Sequence, residues 1–128
     1  MAILGLVTWT MLLLTAIAIL RTGLTVSGVR AANNFSPSGE DVSPFSARLC
    51  RAHANCFEFL PFALAILLYA VATNQTTTTD GLALVLLAAR MLQSTIHLVS
   101  TSRLAVALRF ACVVPQFAIV FLWIAKLV

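Results

Sequence analysis

The sequence predicts an all-α fold, an integral membrane bundle of four helices in up-down order. Hydrophobic residues make up 61% of the 128 residues and charged residues only 9%, and the mean hydropathy of +1.02 lies far above that of soluble globular proteins. Four apolar segments are each long enough to cross a bilayer, which takes about 20 residues. Because the connections are short, we expect one domain over residues 1–128 with antiparallel neighbouring helices.

The longest polar stretch of the chain separates the first two predicted helices. Helix 1 is expected over about residues 3–28, and because no basic residue precedes it, we interpret it as a retained helix and not a cleaved signal peptide. Residues 29–43 are rich in Asn, Ser, Pro and Gly, which is typical of a loop. Ser43 is a good N-cap and Pro44 suits the first helical position, so helix 2 is expected over about residues 44–73.

Two further helices complete the bundle. Helix 3 is expected over about residues 82–100, after the turn NQTTTTDG, and helix 4 over about residues 105–127, after the polar connection STSR. The arginines set the orientation, because basic residues flank the connections 29–43 and 100–104, whereas the opposite side offers only Lys126. The positive-inside rule then places both connections in the cytoplasm and both termini on the opposite side.

Composition excludes several classes of function. The net charge is +4, but the basic residues stand singly between apolar segments, so nucleic acid binding has no support. The three cysteines, Cys50, Cys56 and Cys112, match no metal-binding spacing, and no metal site is expected.

The opening turns of helix 2 carry the most informative pattern, RAHANCFEFLP. Arg51, Asn55 and Glu58 fall at i, i+4 and i+7 on one stripe of the helix, and His53 points to roughly the opposite side. An acidic side chain at membrane depth is costly unless it is paired. Glu58 is therefore predicted to be either a functional group or half of a structural ion pair.

Helix 3 carries a second polar stripe, formed by Arg90, Gln93, Ser94, His97 and Thr101. A charged residue in mid-span costs about 2.5–3.5 kcal/mol on insertion scales, so this face must look into protein or water. From the depth of the two stripes we predict a buried ion pair between Arg90 and Glu58. Together the two stripes would line a polar cavity that opens to the cytoplasm. Arg109 and Gln116 of helix 4 share a face and can join this cavity, which suits an anion. The plainer alternative is that these groups only hold the helices together.

The segment RLCRAHANCFEFLPF resembles the signature of the MAPEG family, the membrane-associated proteins in eicosanoid and glutathione metabolism. That signature is an R-x-x-x-N-x-x-E-x-x-P core at the start of the second of four transmembrane helices. The segments NFSPSGEDVSPF and AARMLQSTIHLVSTSRLAVALRF also resemble the first loop and the third helix of bacterial members, so the resemblance covers nearly the whole chain.

The resemblance implies a homotrimer that binds glutathione, as co-substrate, from the cytoplasmic side at sites between subunits. Arg51, Asn55 and Glu58 match the family's glutathione-contacting residues, and His53 occupies a position that is often glutamine or histidine. An arginine stabilises the glutathione thiolate in the synthases; Arg103 resembles it in placement, and Arg30 is the second candidate. Gln93 and His97 stand where the synthases carry glutathione-contacting tyrosines, and both are expected to line the glutathione-binding site.

Two functions from different classes follow from the resemblance. The first is a membrane-bound glutathione transferase or peroxidase that acts on small apolar electrophiles arriving through the lipid. The alternative is a non-catalytic protein of the same fold that binds a lipid or a partner, which the absent tyrosines favour. A small multidrug exporter is a weaker third hypothesis, because in that class the membrane-embedded acid lies on helix 1, and here helix 1 has none.

Overall fold

Four helices and no strands make up the chain in the computed structural model, which describes residues 1–128. The helices are α1 (Ala2–Val26), α2 (Pro44–Ala72), α3 (Thr76–Val99) and α4 (Arg103–Leu127). Each is long and apolar enough to cross a membrane; even the shortest, at 24 residues, extends about 36 Å at 1.5 Å per residue, which exceeds the hydrocarbon thickness. The predicted all-α membrane fold is confirmed.

Serine caps set the starts of α2 and α4. Ser43 Oγ accepts a hydrogen bond from the Ser46 N–H at 3.0 Å and Pro44 follows it, so α2 begins where the sequence predicts. Ser102 Oγ accepts from the Ala105 N–H at 3.2 Å. This cap starts α4 at Arg103, two residues earlier than expected, and places Arg103 in the first turn of the helix and not in the connection.

The turn between α2 and α3 is shorter than expected. Residues 73–75 reverse the chain, with Asn74 in the left-handed region at φ 58°, and α3 begins at Thr76 and not at residue 82. Threonine and glycine are weak helix formers, but Thr79 and Ala83 are buried in the helix packing, at 2% and 7% exposure. Burial of this segment, and the need to satisfy backbone groups within the helix near a bilayer, outweigh the low propensity.

Neighbouring helices run antiparallel, in the predicted up-down order. Contacts near the helix ends show this directly: Arg21 of α1 reaches Cys50 of α2, Arg48 of α2 reaches Leu98 of α3, and His97 of α3 meets Arg109 of α4. Both α2 and α3 pack against all three other helices, whereas α1 and α4 do not pack against each other. The two helices that carry the predicted polar stripes, α2 and α3, are therefore the central pair of the bundle.

Candidate functional site

A network of buried polar side chains joins α2, α3 and α4. Its centre is Arg90, which is only 4% exposed. The Arg90 Nη1 group donates to Asn55 Oδ1 at 2.8 Å and to the Asn55 carbonyl at 3.3 Å. The same Asn55 oxygen accepts from Gln93 Nε2 at 2.8 Å, so one amide of α2 fixes two side chains of α3.

The network continues into α4 through Gln116, which is fully buried. Gln116 Nε2 donates to Gln93 Oε1 at 2.9 Å and to the Cys112 carbonyl at 2.7 Å. On the other side of Arg90, Ser94 Oγ lies 2.9 Å from Cys56 Sγ. Arg90, Gln93 and Ser94 are all buried, which confirms that this face of α3 looks into protein, and Gln116 joins it as expected.

The predicted ion pair between Arg90 and Glu58 is not formed, and this prediction is wrong for the single chain. The ion pairs of the chain are Arg30–Asp41 and Arg51–Glu40. Arg90 instead bonds Asn55 and stacks over the Phe59 ring, with its guanidinium carbon 4.0 Å from the ring centroid. Asn55 and Phe59 are four residues apart and face α3 together, whereas Glu58 is turned about 60° toward the outer surface of α2.

Glu58 and Arg90 nevertheless line one cavity, of about 220 Å³, between α2, α3 and α4. Its polar groups are Asn55, Glu58 and Arg90, and its walls are apolar: Phe59, Phe62, Val113 and Phe117. Glu58 is exposed and makes no hydrogen bond or ion pair within the chain. The cavity therefore offers a cation, an unpaired carboxylate and an aromatic surface, which suits a ligand that carries both charges and an apolar part.

Arg51 lies outside this cavity, one helical turn closer to the first loop. Its Nη2 donates to Glu40 Oε1 at 2.6 Å, and both side chains are exposed. Arg30 is paired in the same loop, with its Nη1 2.7 Å from Asp41 Oδ2. A hydrogen bond from the Ser36 N–H, together with the charge of Arg30, holds the pKa of the Asp41 carboxyl below its usual value.

The remaining predicted residues lie apart from one another. His53 is half-buried and stacks on Phe57, with 6.1 Å between ring centroids. Arg109 Nη1 lies 2.6 Å from His97 Nδ1. Arg103 is exposed at the start of α4 and has no ion-pair partner. A single chain thus brings together Asn55, Glu58, Arg90 and Gln93, and leaves Arg30, Arg51, His53 and Arg103 outside this group.

Two kinds of residue at this site were not predicted from the sequence. Phe59, Phe62 and Phe117 form the walls of the cavity, but phenylalanine is so common in membrane helices that it gives no signal. Glu40 and Asp41 hold two of the predicted arginines. A signal for them exists, because the chain has only four acidic residues and two of the four are adjacent in the first loop.

These features define a class: a multi-pass integral membrane protein whose apolar helices enclose a buried arginine and amide network beside an amphipathic cavity. The chain matches the model of the MAPEG family over residues 1–128, and it belongs to that family. Membership supports a membrane-bound, glutathione-related transferase or related function in general terms. No curated protein and no solved structure matched the chain.

Proposed function

We propose that this protein is a membrane-bound glutathione transferase or peroxidase that acts on small apolar electrophiles. The observation that carries the proposal is the cavity in which Arg90 and the unpaired Glu58 meet three phenylalanines. Glutathione has two carboxylates for cations and one ammonium group for Glu58, and an electrophile arriving from lipid needs apolar walls. Family membership over the whole chain adds to this chemical match.

The proposed site is completed by a second copy of the chain. Glu58, Arg51 and Arg103 are exposed in the single chain, and an exposed carboxylate on a membrane helix needs a partner. We therefore propose a homotrimer with sites between subunits, in which Arg51, Asn55, Glu58 and His53 contact glutathione. Gln93 and His97 support this site, Gln93 through its bond to Asn55. In this proposal the segments 29–43 and 100–104 face the cytoplasm and both termini face the opposite side.

Arg103 is the proposed thiolate-stabilising group. A cation beside the glutathione sulfur lowers the thiol pKa because it favours the charged form. The thiolate then attacks the electrophilic carbon, the new C–S bond replaces the bond to the leaving group, and the thiol proton goes to solvent. Arg103 is a better candidate than Arg30 because its charge has no internal partner, whereas Arg30 is held by Asp41.

A specific observation favours the non-catalytic alternative, in which the protein binds a lipid or a partner. Both amide atoms of Gln93 bond Asn55 and Gln116, and Nδ1 of His97 contacts Arg109. Neither residue has the hydroxyl of the tyrosines that contact glutathione in the synthases, and the Gln93 amide already has internal partners. This alternative expects a stable oligomer that copurifies with lipid and shows no thiol chemistry.

Glutathione is expected to stabilise the detergent-purified protein, since a ligand that binds only the folded state raises the free energy of unfolding. At a hundredfold excess over Kd the gain is about 2.7 kcal/mol. Arg51→Ala and Glu58→Gln should reduce or abolish this gain because each removes a charge that the ligand pairs with. Thermal unfolding across a glutathione titration measures the effect.

Two variants serve as matched controls for that titration. Asp80→Asn and Lys126→Ala each remove one exposed charge, on α3 and α4, away from the cavity, and should respond to glutathione like the wild type. If the wild type shows no shift up to millimolar glutathione, the transferase proposal is lost and the lipid-binding alternative takes its place.

A further inference from the structure

Two adjacent acidic residues of the first loop hold two of the arginines proposed for the site. Glu40 Oε1 accepts from Arg51 Nη2 at 2.6 Å, and Asp41 Oδ2 lies 2.7 Å from Arg30 Nη1. The chain has only four acidic residues, and two of them form ion pairs with these two arginines. Each of these arginines therefore already holds a carboxylate of the loop.

We infer that Glu40 is a resident carboxylate that occupies the anion-binding position at Arg51 and competes with the carboxylate of an incoming ligand. The inference rests on the proposed function, in which Arg51 binds a carboxylate of glutathione. A guanidinium group binds a carboxylate best through two parallel donors of its planar fork, and Glu40 already holds the Nη2 donor of Arg51. A ligand carboxylate that pairs with this edge of Arg51 must therefore displace Glu40, and its affinity is reduced by the cost of breaking the internal pair.

The backbone of the loop holds Glu40 in this position. Gly39 has φ 70°, and a Cβ added to it would lie 2.7 Å from Ser46 Oγ and 2.8 Å from Cys50 Sγ. Only glycine allows the loop to lie this closely on the first turns of α2. Gly39 therefore lies against Cys50, and its neighbour Glu40 is placed beside Arg51, the residue after Cys50.

Three further hydrogen bonds fix the loop. Arg21 Nη2 donates to the Ser36 carbonyl at 2.8 Å, and Asp41 Oδ2 accepts from the Ser36 N–H at 3.0 Å. Arg30 also donates to the Asp41 carbonyl at 2.8 Å. The loop is therefore anchored at Ser36 and Asp41, and Glu40 lies between these anchors and α2.

The two ion pairs differ in how easily a ligand can break them. The side chains of Arg51 and Glu40 are 62% and 58% exposed, whereas those of Arg30 and Asp41 are 23% and 25% exposed. Exposed pairs are weak, equivalent to about a two- to fivefold change in an equilibrium constant. Asp41 thus serves as the anchor of the loop, and Glu40 is the group that a ligand displaces.

Calorimetric titration of the full-length protein with glutathione tests this competition. Glu40→Gln is expected to lower Kd about two- to fivefold, because the amide no longer holds Arg51 through a charge. Glu40→Asp keeps the charge but withdraws it by one methylene, so its Kd should fall between those of Glu40→Gln and the wild type. Asp80→Asn removes an exposed acid that has no ion-pair partner, and its Kd should stay at the wild-type value.

The following results would contradict the inference. Equal Kd values for Glu40→Gln and the wild type overturn it while leaving glutathione binding, and so the proposed function, intact. A wild-type Kd for Glu40→Asp beside a lower one for Glu40→Gln also overturns it, because the gain then comes from net charge and not from release of Arg51. Absence of glutathione binding in both the wild type and Glu40→Gln removes the proposed function together with the inference.

Discussion

Arg103→Ala is expected to slow glutathione conjugation about a hundredfold at neutral pH while glutathione still binds. A neighbouring opposite charge shifts a pKa by about 1–3 units, and below the thiol pKa each unit changes the thiolate fraction tenfold. Arg103 has no ion-pair partner within the chain, so its charge is not already neutralised by a carboxylate and can stabilise a sulfur anion. Steady-state rates with a generic apolar electrophile, measured beside glutathione binding, show whether kcat falls and Kd does not.

The pH dependence of the rate separates this role from a merely structural one. With Arg103 present, the rate should level off at a lower pH than in Arg103→Ala, because the cation keeps the thiolate populated to lower pH. Arg103→Lys should recover part of the rate, and Lys126→Ala, at the far end of the same helix, should behave as the wild type. Full turnover and an unchanged pH profile in Arg103→Ala, with a loss in Arg30→Ala instead, would transfer the role to Arg30.

Asn55→Leu is expected to be the most destabilising single change in the polar network, by about 2–3 kcal/mol. It removes the oxygen that accepts from both Arg90 and Gln93, and it leaves a buried guanidinium with the backbone carbonyl and the Phe59 ring as its remaining partners. Breaking a buried charged contact from one side is costly because the other charge stays buried. Unfolding in detergent, followed by circular dichroism, measures the loss.

A double variant shows whether the unpaired charge causes that loss. Combining Asn55→Leu with Arg90→Met removes the acceptor and the buried cation together, so much of the lost stability should return. Losses that simply add in the double variant would show that Asn55 acts through packing and not through Arg90. Thr95→Val, which removes an exposed hydroxyl from α3, serves as the control and should change stability little.

Much of the fold could be predicted because hydropathy and helix caps are local properties. Four apolar segments gave four helices, and Ser43 with Pro44 marked the start of α2 correctly. The start of α3 could not be predicted in the same way, since the threonines after Gln75 are weak helix formers. Their helical state depends on the burial of Thr79 and Ala83 against neighbouring helices, which no local pattern reports.

The candidate site was likewise predictable only where it depends on local sequence. Periodicity correctly placed Arg90, Gln93 and Ser94 on one buried face of α3, because the angle between residues on a helix follows from their spacing alone. It did not identify the partner of Arg90. A rotation of α2 by about 60° decides whether Arg90 meets Asn55 or Glu58, and that rotation is set by how all the side chains between the helices pack.

The sequence by itself determined that the chain is a four-helix membrane protein of the MAPEG family, with polar groups on α2 and α3 that must meet inside the bundle. Composition, caps and helical period are sufficient for this because each is read from neighbouring residues. Only the tertiary structure decided that Asn55 receives Arg90, that Glu58 stays unpaired, and that Glu40 holds Arg51. These pairings join residues 11 and 35 positions apart in the chain, and their choice depends on helix rotation and on the path of the loop at Gly39.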